Sequence, residues 1–400
     1  MLSKGSRRKH EDNSGNHSGE YGTTDNDDVE NKRPMSKLHK TNEDVSNFDH
    51  CSEDGVKQNA RKKQRKDCVS EIASLADVKR ASDVIVATQI TSSDSVATDE
   101  APSARWGHAL CMISEAEAVM IGGQGDKNML CKDAVWRLNL LSRKWSPSDT
   151  VLTTAKPEAR TDHSVVHSPV ARCLYVYGGS KNKKWFSDVY MVDTDNWTWQ
   201  CIRANGSPPS LSYHSCTLYG HEMWVFGGVY PRPDPLPDDC SNELYVFNLF
   251  EENWYKPLVM GTKLSPRSGH SATLFHNRLV VFGGWDAPVC YNDLFVLDLS
   301  LVEWSQPQVN GRPPSARCWH ASCALAGNSL FIHGGYNGNI VLADSFIFDL
   351  DSLTWSSVEI EPVISARTGH TAVCCPYSPP SVVRLKAGGT GQPTPIDLPV

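Results

Sequence analysis

A short run of apolar residues closed by two glycines recurs six times in this chain. The pairs are Gly122-Gly123, Gly178-Gly179, Gly227-Gly228, Gly283-Gly284, Gly334-Gly335 and Gly388-Gly389. Successive pairs lie 56, 49, 56, 51 and 54 residues apart. A period near fifty residues is typical of propellers, in which each repeat is a small sheet that must stack on its neighbours to bury a core.

Each repeat has the same four parts. The first opens with Arg-x-x-His and the second is the apolar run with its glycines. The third is another apolar stretch, such as Asp188 to Asp193, and the fourth contains a tryptophan. The opening pairs are Arg105/His108, Arg160/His163, Arg267/His270, Arg317/His320 and Arg367/His370, whereas the third repeat has Leu211 with His214. The tryptophans are Trp145, Trp199, Trp254, Trp304 and Trp355.

Short β-branched and aromatic runs, cut by Gly, Pro, Asn and Asp, predict strands joined by tight turns. Four strands per repeat predict a ring of four-stranded blades. Glycine suits a sharply turning strand end beside other backbone. Tryptophan suits the wedge between twisted sheets, where its large ring can be buried.

Together, the glycine pair, the later tryptophan and the Arg-x-x-His opening resemble the kelch repeat over about residues 101–389. The resemblance implies an all-β, six-bladed kelch-type β-propeller with one antiparallel blade per repeat. Three positions depart from the pattern. They are Leu211, His333 before its glycines, and Lys386 in the last run.

The sixth repeat supplies only two strands before the chain reaches residues 390–400, here interpreted as a C-terminal tail. Because open sheet edges invite aggregation, we expect N-terminal strands to close the sixth blade. Residues 83–90 have the spacing of a third strand and residues 94–99 are the candidate fourth, although Asp94 stands where tryptophan would fall. The alternative is pairing by residues 396–400, which nearby prolines oppose.

Residues 1–70 are polar and charged, and they predict a disordered arm. Its basic cluster, Arg61, Lys62, Lys63, Arg65 and Lys66, is a candidate nuclear localisation signal that an import receptor would bind. The alternative is a merely solvated charge run. Residues 71–100 are interpreted as a linker that includes a short helix and the candidate closing strands.

Composition narrows the class of protein. No apolar run approaches the roughly 18 residues of a membrane span, and residues 1–9 do not resemble a secretory signal. The thirteen cysteines lack a paired C-x-x-C spacing, which favours reduced thiols. The net charge of −7 argues against a broad nucleic-acid-binding surface on the propeller.

One end of an antiparallel propeller gathers the Arg-x-x-His openings and the loops after the glycine pairs. Arginines and aromatic side chains there would suit a partner peptide that carries carboxylates. The kelch resemblance implies a partner-binding role for Arg105, Arg160, Arg267, Arg317 and Arg367. The loops add Tyr230, Trp285, Tyr336 and Asn337 as candidates. The alternative is that the arginines brace loops within their own blades.

Two further features bear on function. The proline-rich loop at 229–241 is a binding-loop hypothesis, because prolines lower the entropy lost on binding. The six repeated histidines are kept apart by the ring, so no metal site and no cofactor are predicted.

The sequence therefore predicts a non-catalytic protein-interaction module in the nucleus or cytoplasm. The kelch resemblance suggests a substrate adaptor of a ubiquitin ligase, although no segment resembles a BTB or F-box region. Two alternatives stay open. They are a metal-dependent kelch-propeller enzyme, and a chromatin-associated factor that uses the basic arm.

Overall fold

The computed structural model describes residues 84–88, 101–125, 129–131, 135–148, 156–361, 363–375 and 384–387. The chain divides into two units, Met1–Asp67 and Cys68–Val400, and all described residues lie in the second. The predicted arm (1–70), the short helix, the candidate strand at 94–99 and the tail (390–400) lie outside the described residues.

Five blades of four antiparallel strands follow one another, each paired in chain order. The N-terminal strand is β1 (Val84–Thr88). Blade one contains β2 (Ala109–Ser114), β3 (Glu117–Ile121), β4 (Val135–Asn139) and β5 (Lys144–Pro147). Blade two contains β6 (Ser164–Ser168), β7 (Cys173–Tyr177), the short pair β8 (Ser180–Lys181) and β9 (Lys184–Trp185), β10 (Val189–Asp193) and β11 (Trp199–Ile202).

The remaining blades repeat the plan. Blade three contains β12 (Ser215–Tyr219), β13 (Glu222–Phe226), the pair β14 (Val229–Tyr230) and β15 (Asp239–Cys240), β16 (Leu244–Asn248) and β17 (Asn253–Tyr255), and β18 (Met260–Gly261) follows. Blade four contains β19 (Ser271–Phe275), β20 (Arg278–Phe282), the pair β21 (Trp285–Asp286) and β22 (Val289–Cys290), β23 (Leu294–Asp298) and β24 (Glu303–Ser305), and β25 (Asn310–Gly311) follows. Blade five contains β26 (Ala321–Leu325), β27 (Ser329–Tyr336), β28 (Val341–Asp349) and β29 (Thr354–Glu361). The last strands are β30 (Thr371–Cys375) and β31 (Arg384–Ala387).

The core lies between blades, where the predicted tryptophan wedge is found. Every residue of the second strand β7 is buried, because neighbouring blades cover both of its faces. The ring of Phe226 in blade three lies 5.1 Å from that of Trp304 in blade four. Phe282 packs on Trp355 of the next blade in the same way, with ring centroids 5.0 Å apart. Burying such rings supplies the apolar area that no single sheet could bury alone.

The glycine pair marks the point where the next blade comes closest. A Cβ added at Gly227 would lie 2.7 Å from the carbonyl oxygen of Arg267 and 2.8 Å from the ring of His270. The N–H of Gly228 donates to that same Arg267 carbonyl at 2.9 Å. Both glycines have positive φ, 65° and 90°, where a side chain would be strained. The pair therefore allows a backbone contact between blades.

The structure confirms the predicted all-β propeller, but the predicted number of six blades is wrong. Five blades are present in the described part of the chain, and the sixth repeat contributes β30 in a two-stranded sheet with β1. The pairing runs from Val84 opposite Cys375 to Thr88 opposite Thr371. Strand β1 therefore lies directly beside β30, where a second strand would lie, and not in the expected third place.

The sixth apolar run takes a different partner. Strand β31 pairs with β29, at the outer edge of blade five. Second strands are buried on both faces in the complete blades, whereas this run carries Arg384 and Lys386. Burying an arginine and a lysine between two blades is unfavourable unless both charges find partners.

Strand β30 still connects blade five to blade one. On one side, Val373 is buried with Ala118 and Leu138 of blade one. On the other side, Ala372 and Cys374 pack against the cluster that contains Phe331 of blade five. The described residues include no helix that is long and apolar enough to cross a membrane.

Candidate functional site

The Arg-x-x-His segments, here called tetrads, lie together at one end of the propeller. The second residue of a tetrad bridges to the residue after its glycine pair, as Ser268 does to Trp285. The third residues are linked around the axis by N–H to C=O hydrogen bonds of 2.7–3.1 Å. In order these residues are Gly107, Asp162, Tyr213, Gly269, Trp319 and Gly369. We call this end the tetrad end.

Three of the predicted partner-binding arginines are buried in ion pairs. Arg267 and Arg317 are 0% exposed and Arg160 is 2% exposed. Each guanidinium contacts an aspartate of its own blade at 2.6–2.7 Å; Asp188 and Asp293 directly precede the third strand, and Asp344 lies within it. The pairs are Arg160–Asp188, Arg267–Asp293 and Arg317–Asp344. These arginines brace their own blades, and a partner contact by their side chains stays a prediction.

The other arginine positions differ. Arg105 is buried and donates to the carbonyls of Ser103 and Gly122. Arg367 is half-buried and donates to Ser365, and no ion pair to it is found in the described residues.

The third tetrad has a leucine where the others have an arginine, and this leucine makes apolar contacts. Leu211 is 1% exposed and belongs to a buried apolar cluster. Glu243 precedes the third strand, at the position where blades two, four and five have an aspartate. Without an arginine, Glu243 pairs with Lys256 at 2.6 Å and with Lys263 at 3.4 Å. Hydrogen bonding to Lys256 holds the pKa of Glu243 below its ordinary value.

The tetrad histidines bond across the blade boundaries. The ring of His270 contacts the hydroxyl of Ser215 at 2.9 Å, and Ser215 directly follows the tetrad histidine of the preceding blade. The equivalent contacts are His214–Ser164, His320–Ser271 and, between the first repeat and the sixth, His108–Thr371. His163 and His370 make no such bond among the described residues, since Ala109 and Ala321 stand where the hydroxyl would be. The Ile121 carbonyl near His163 favours its protonated form but does not reach hydrogen-bond geometry.

Burial keeps these histidines neutral. Burial, together with the charge of Arg105, lowers the pKa of His108 to about 4. Burial likewise lowers the pKa of His163, His214, His270 and His370 to about 3. Among the described residues, no three His, Cys, Asp or Glu side chains converge as metal ligands would.

His333 replaces the apolar residue before the fifth glycine pair and is 0% exposed. Its Nδ1 nitrogen lies 2.8 Å from the hydroxyl of Ser345, and its ring meets that of His370 edge-on at 5.3 Å. Burial lowers its pKa to about 4. Phe282 makes the equivalent edge contact with His320 at 5.5 Å. The imidazole thus takes the place of a phenyl ring between repeats five and six.

Aromatic rings meet on the surface of the tetrad end. Trp319 lies 5.7 Å from Trp285, 6.1 Å from Tyr213 and 6.2 Å from Tyr336, measured between ring centroids. All four are half-buried. We call them the aromatic patch. Trp285 and Tyr336 were predicted as site residues, whereas Tyr213 and Trp319 were missed. Their position inside the tetrads, at the axis, was the available signal.

The other predicted loop residues have local contacts. The hydroxyl of Tyr230 donates to Asp239 at 3.5 Å, and its ring packs partly on the core. The side-chain oxygen of Asn337 accepts from the N–H groups of Asn339 and Ile340, so it orders its own turn. In the loop at 229–241, Arg232 pairs with Asp239 at 3.2 Å.

A single acidic residue lies among the third tetrad residues. The Asp162 carboxylate adjoins Gly107, where an added Cβ would lie 2.6 Å from its Oδ1 oxygen. Burial raises the pKa of Asp162 to about 7, against hydrogen bonds from Thr161 and Tyr213 that lower it. The Oδ2 oxygen is shielded from solvent and has no hydrogen-bond partner among the described residues. Such a group is rare in folded proteins and requires an explanation.

The chain is similar to several characterised proteins. Residues 160–355 match the family model described as FBX42, beta-propeller domain. Kelch domain-containing protein 3 of Homo sapiens is 29% identical over 194 residues, which cover 46% of this chain and 49% of that protein. Kelch repeat-containing protein 2 of Saccharomyces cerevisiae is 27% identical over 241 residues, covering 46% and 27%. Acyl-CoA-binding domain-containing protein 4 of Arabidopsis thaliana is 30% identical over 302 residues, covering 73% and 44%. The chain thus spans about half the length, or less, of these curated relatives.

Proposed function

Since the chain belongs to the kelch-repeat β-propeller family, we propose that its propeller is a non-catalytic module that binds a partner protein or peptide at the tetrad end. The observation that carries the proposal is the aromatic patch. Its rings touch one another across three blades, yet they lie outside the cores between the blades. Aromatic side chains of this kind dominate the binding free energy of many interfaces.

The predicted arginines enter this function indirectly. Arg267 and Arg317 fix the starts of the first and third strands in their blades, and those strands hold the loops of the patch. An alanine at either position would empty a buried site and leave an aspartate and a glycine carbonyl without their arginine partner. Such a variant would test stability and not binding.

The experiment uses the full chain as bait in affinity purification from cells. A variant with Trp285→Ala and Tyr336→Ala should lose the partners that the natural chain captures. The matched control is Tyr255→Ala, since Tyr255 is 40% exposed on the fourth strand of blade three. Thermal denaturation should show all three proteins folded. Capture of the same partners by the patch variant would contradict the proposal.

The proposal includes a role in a ubiquitin ligase and the absence of catalysis, and each can be tested. Substrate selection for a ubiquitin ligase, which the kelch resemblance implies, predicts that ligase scaffold subunits are captured together with the partner. The non-catalytic reading predicts that the purified chain carries no stoichiometric transition metal, which elemental analysis checks. A bound metal would favour the enzyme alternative.

The basic segment at 61–66 lies outside the described residues, and nuclear import through it is a separate proposal. It predicts that a fluorescent fusion of the chain is nuclear and becomes cytoplasmic when the five basic residues are changed to alanine. A fusion whose distribution does not change would contradict it. Binding of the arm to chromatin is the alternative, and it predicts an association that salt weakens steeply.

A further inference from the structure

The surface around the aromatic patch is acidic. Its loops are 229–240, 285–291 and 336–342. They carry one guanidinium, that of Arg232, and four carboxylates, so their net charge is −3; the carboxylates are those of Asp234, Asp238, Asp239 and Asp286. Arg232 is itself paired with Asp239. The other three carboxylates have no ion pair among the described residues. The equivalent loop of blade two, 180–187, instead carries three lysines.

Two tetrad arginines that could reverse this charge are withdrawn from the surface, whereas Arg367 of the sixth tetrad is half-buried and has no ion pair among the described residues. Arg267 and Arg317 lie in the same blades as Trp285 and Tyr336, but each is fully buried and neutralised by its own aspartate. A partner that approaches the patch therefore meets carboxylates and ring faces. That arrangement disfavours the acidic peptide expected from the sequence, because like charges repel across an interface.

Asp162 extends the acidic surface toward the axis. The nearby hydroxyl of Tyr213 lowers the pKa of its carboxyl, and the ring of Tyr213 in turn meets that of Trp319. The indole of Trp319 lies across Gly269, where an added Cβ would be 2.7 Å from its Nε1 nitrogen. Asp162, Tyr213 and Trp319 thus form one arc around the axis. Burial of the Asp162 carboxylate is unfavourable without a compensating positive charge.

We propose that the aromatic patch and its acidic loops bind a lysine or arginine side chain of the partner, an inference that rests on the proposed function. The faces of Trp and Tyr rings attract an ammonium or guanidinium group. Asp162, which is bonded through its backbone to Tyr213, and Asp286, which follows Trp285, supply negative charge next to the patch. Positive charge on the partner would offset both carboxylates, whereas an acidic partner would add to the repulsion.

The test selects random twelve-residue peptides on the full chain. Those that depend on the patch are identified by their loss of binding to the variant with Trp285→Ala and Tyr336→Ala. We expect lysine or arginine to be enriched at a fixed position of these peptides. Replacing that residue by norleucine should weaken binding at least about tenfold, the loss expected for one hydrogen bond to a charged group.

Variants of the propeller test the same contact from the other side. Asp162→Asn and Asp286→Asn, made separately, should each weaken the binding of the selected peptides. The loss should be about tenfold for the carboxylate that contacts the basic side chain of the peptide. Glu252→Gln is the matched control, because Glu252 is exposed on the turn between β16 and β17. Asp286 lies in a surface hairpin, so its variant stays informative if Asp162→Asn destabilises the fold.

The outcomes separate this inference from the proposed function. Patch-dependent peptides enriched in Asp or Glu would overturn the inference and leave the proposed function intact. Unchanged binding of basic peptides to both aspartate variants would also overturn it. Peptides that bind the patch variant as tightly as the natural chain would instead contradict the proposed function.

Discussion

The Nε2 nitrogen of His214 lies 2.8 Å from the hydroxyl of Ser164 in the preceding blade. The same kind of contact is made by four of the six tetrad histidines. It satisfies a buried imidazole and links two sheets at once. The histidine–hydroxyl bond is missing at two boundaries between repeats, because Ala109 and Ala321 carry no hydroxyl for His163 and His370.

Adding the hydroxyl should stabilise the fold. Ala109→Ser and Ala321→Ser should each raise the free energy of unfolding by about 1 kcal/mol, the net value of one intramolecular hydrogen bond. Urea denaturation measures the change. Ala324→Ser is the control, because Ala324 packs on the apolar cluster between blades four and five. An equal effect of all three substitutions would show that the histidines are not involved.

Mild acid should destabilise the propeller steeply. Seven buried histidines, His108, His163, His214, His270, His320, His333 and His370, have lowered pKa values. Below pH 6.5 the unfolded chain binds protons that the folded chain excludes, so stability is present above that pH and is lost as the pH falls toward about 3 to 4. Asp162 acts in the opposite sense between about pH 7 and 4, but it binds only one proton.

The variant His333→Phe tests the contribution of one histidine. Phe226 and Phe282 occupy the equivalent position in blades three and four. The substitution should reduce the pH dependence of the unfolding free energy by up to about 1.4 kcal/mol per pH unit near pH 5. Denaturant titrations at pH 7.5, 6 and 5 give the slope. An unchanged slope would mean that His333 is already protonated in the folded state.

Breaking one arginine ion pair should cost stability without changing the surface of the patch. In Asp293→Asn, Arg267 keeps its carbonyl partners but loses the neutralising charge. We expect a loss of about 2 kcal/mol, below the value for a fully buried pair because Asp293 is 26% exposed. Glu303→Gln, an exposed change in the same blade, should be neutral in the same denaturation experiment. Equal stability of the two variants would contradict the bracing role.

The contact at the glycine pairs predicts a large difference between two similar substitutions. Gly228 and Gly220 both have positive φ, but a Cβ at Gly228 would lie 2.7 Å from Cβ of His214, whereas nothing lies within 4 Å at Gly220. Gly220→Ala should cost about 1 kcal/mol, from backbone strain alone. Gly228→Ala should cost about 3 kcal/mol or more, because the blades must also separate. Similar melting temperatures for the two would contradict this account.

Removal of β1 should weaken the ring. A chain that begins at Ala81 keeps Val84–Thr88, whereas one that begins at Thr91 loses the partner of β30. We expect the shorter chain to melt at a lower temperature and to aggregate, because the edge of β30 becomes free to pair with other chains. Equal melting temperature and solubility would show that β1 does not contribute to closure.

The blades could be predicted from the sequence because every complete repeat shows the same features. The glycine pairs, the wedge tryptophans and the apolar second strands all recur with the blades. The sixth blade could not be predicted by counting. The sixth apolar run contains Arg384 and Lys386, and its strand β31 pairs with β29 instead of with β30.

The site was harder to predict because its chemistry depends on burial. The Arg-x-x-His pattern gives the positions of Arg267 and Asp293, but not that one neutralises the other. Surface arginines would attract an acidic partner, whereas buried ion pairs do not. The residues that matter most for the proposed site, Asp162, Tyr213 and Trp319, stand at a tetrad position that varies between repeats. A search for recurring residues therefore does not find them.

Hydrogen bonds join the third tetrad residues from Gly107 to Gly369, and the covalent chain runs through every boundary between them. The boundary between β30 and blade one is different, since segments from opposite halves of the sequence meet there, as in the pairing of His108 with Thr371. A pulling force applied to the two ends of the chain would act first on this boundary between β30 and blade one. The propeller should therefore open there under tension, with blades two to four the last to unravel.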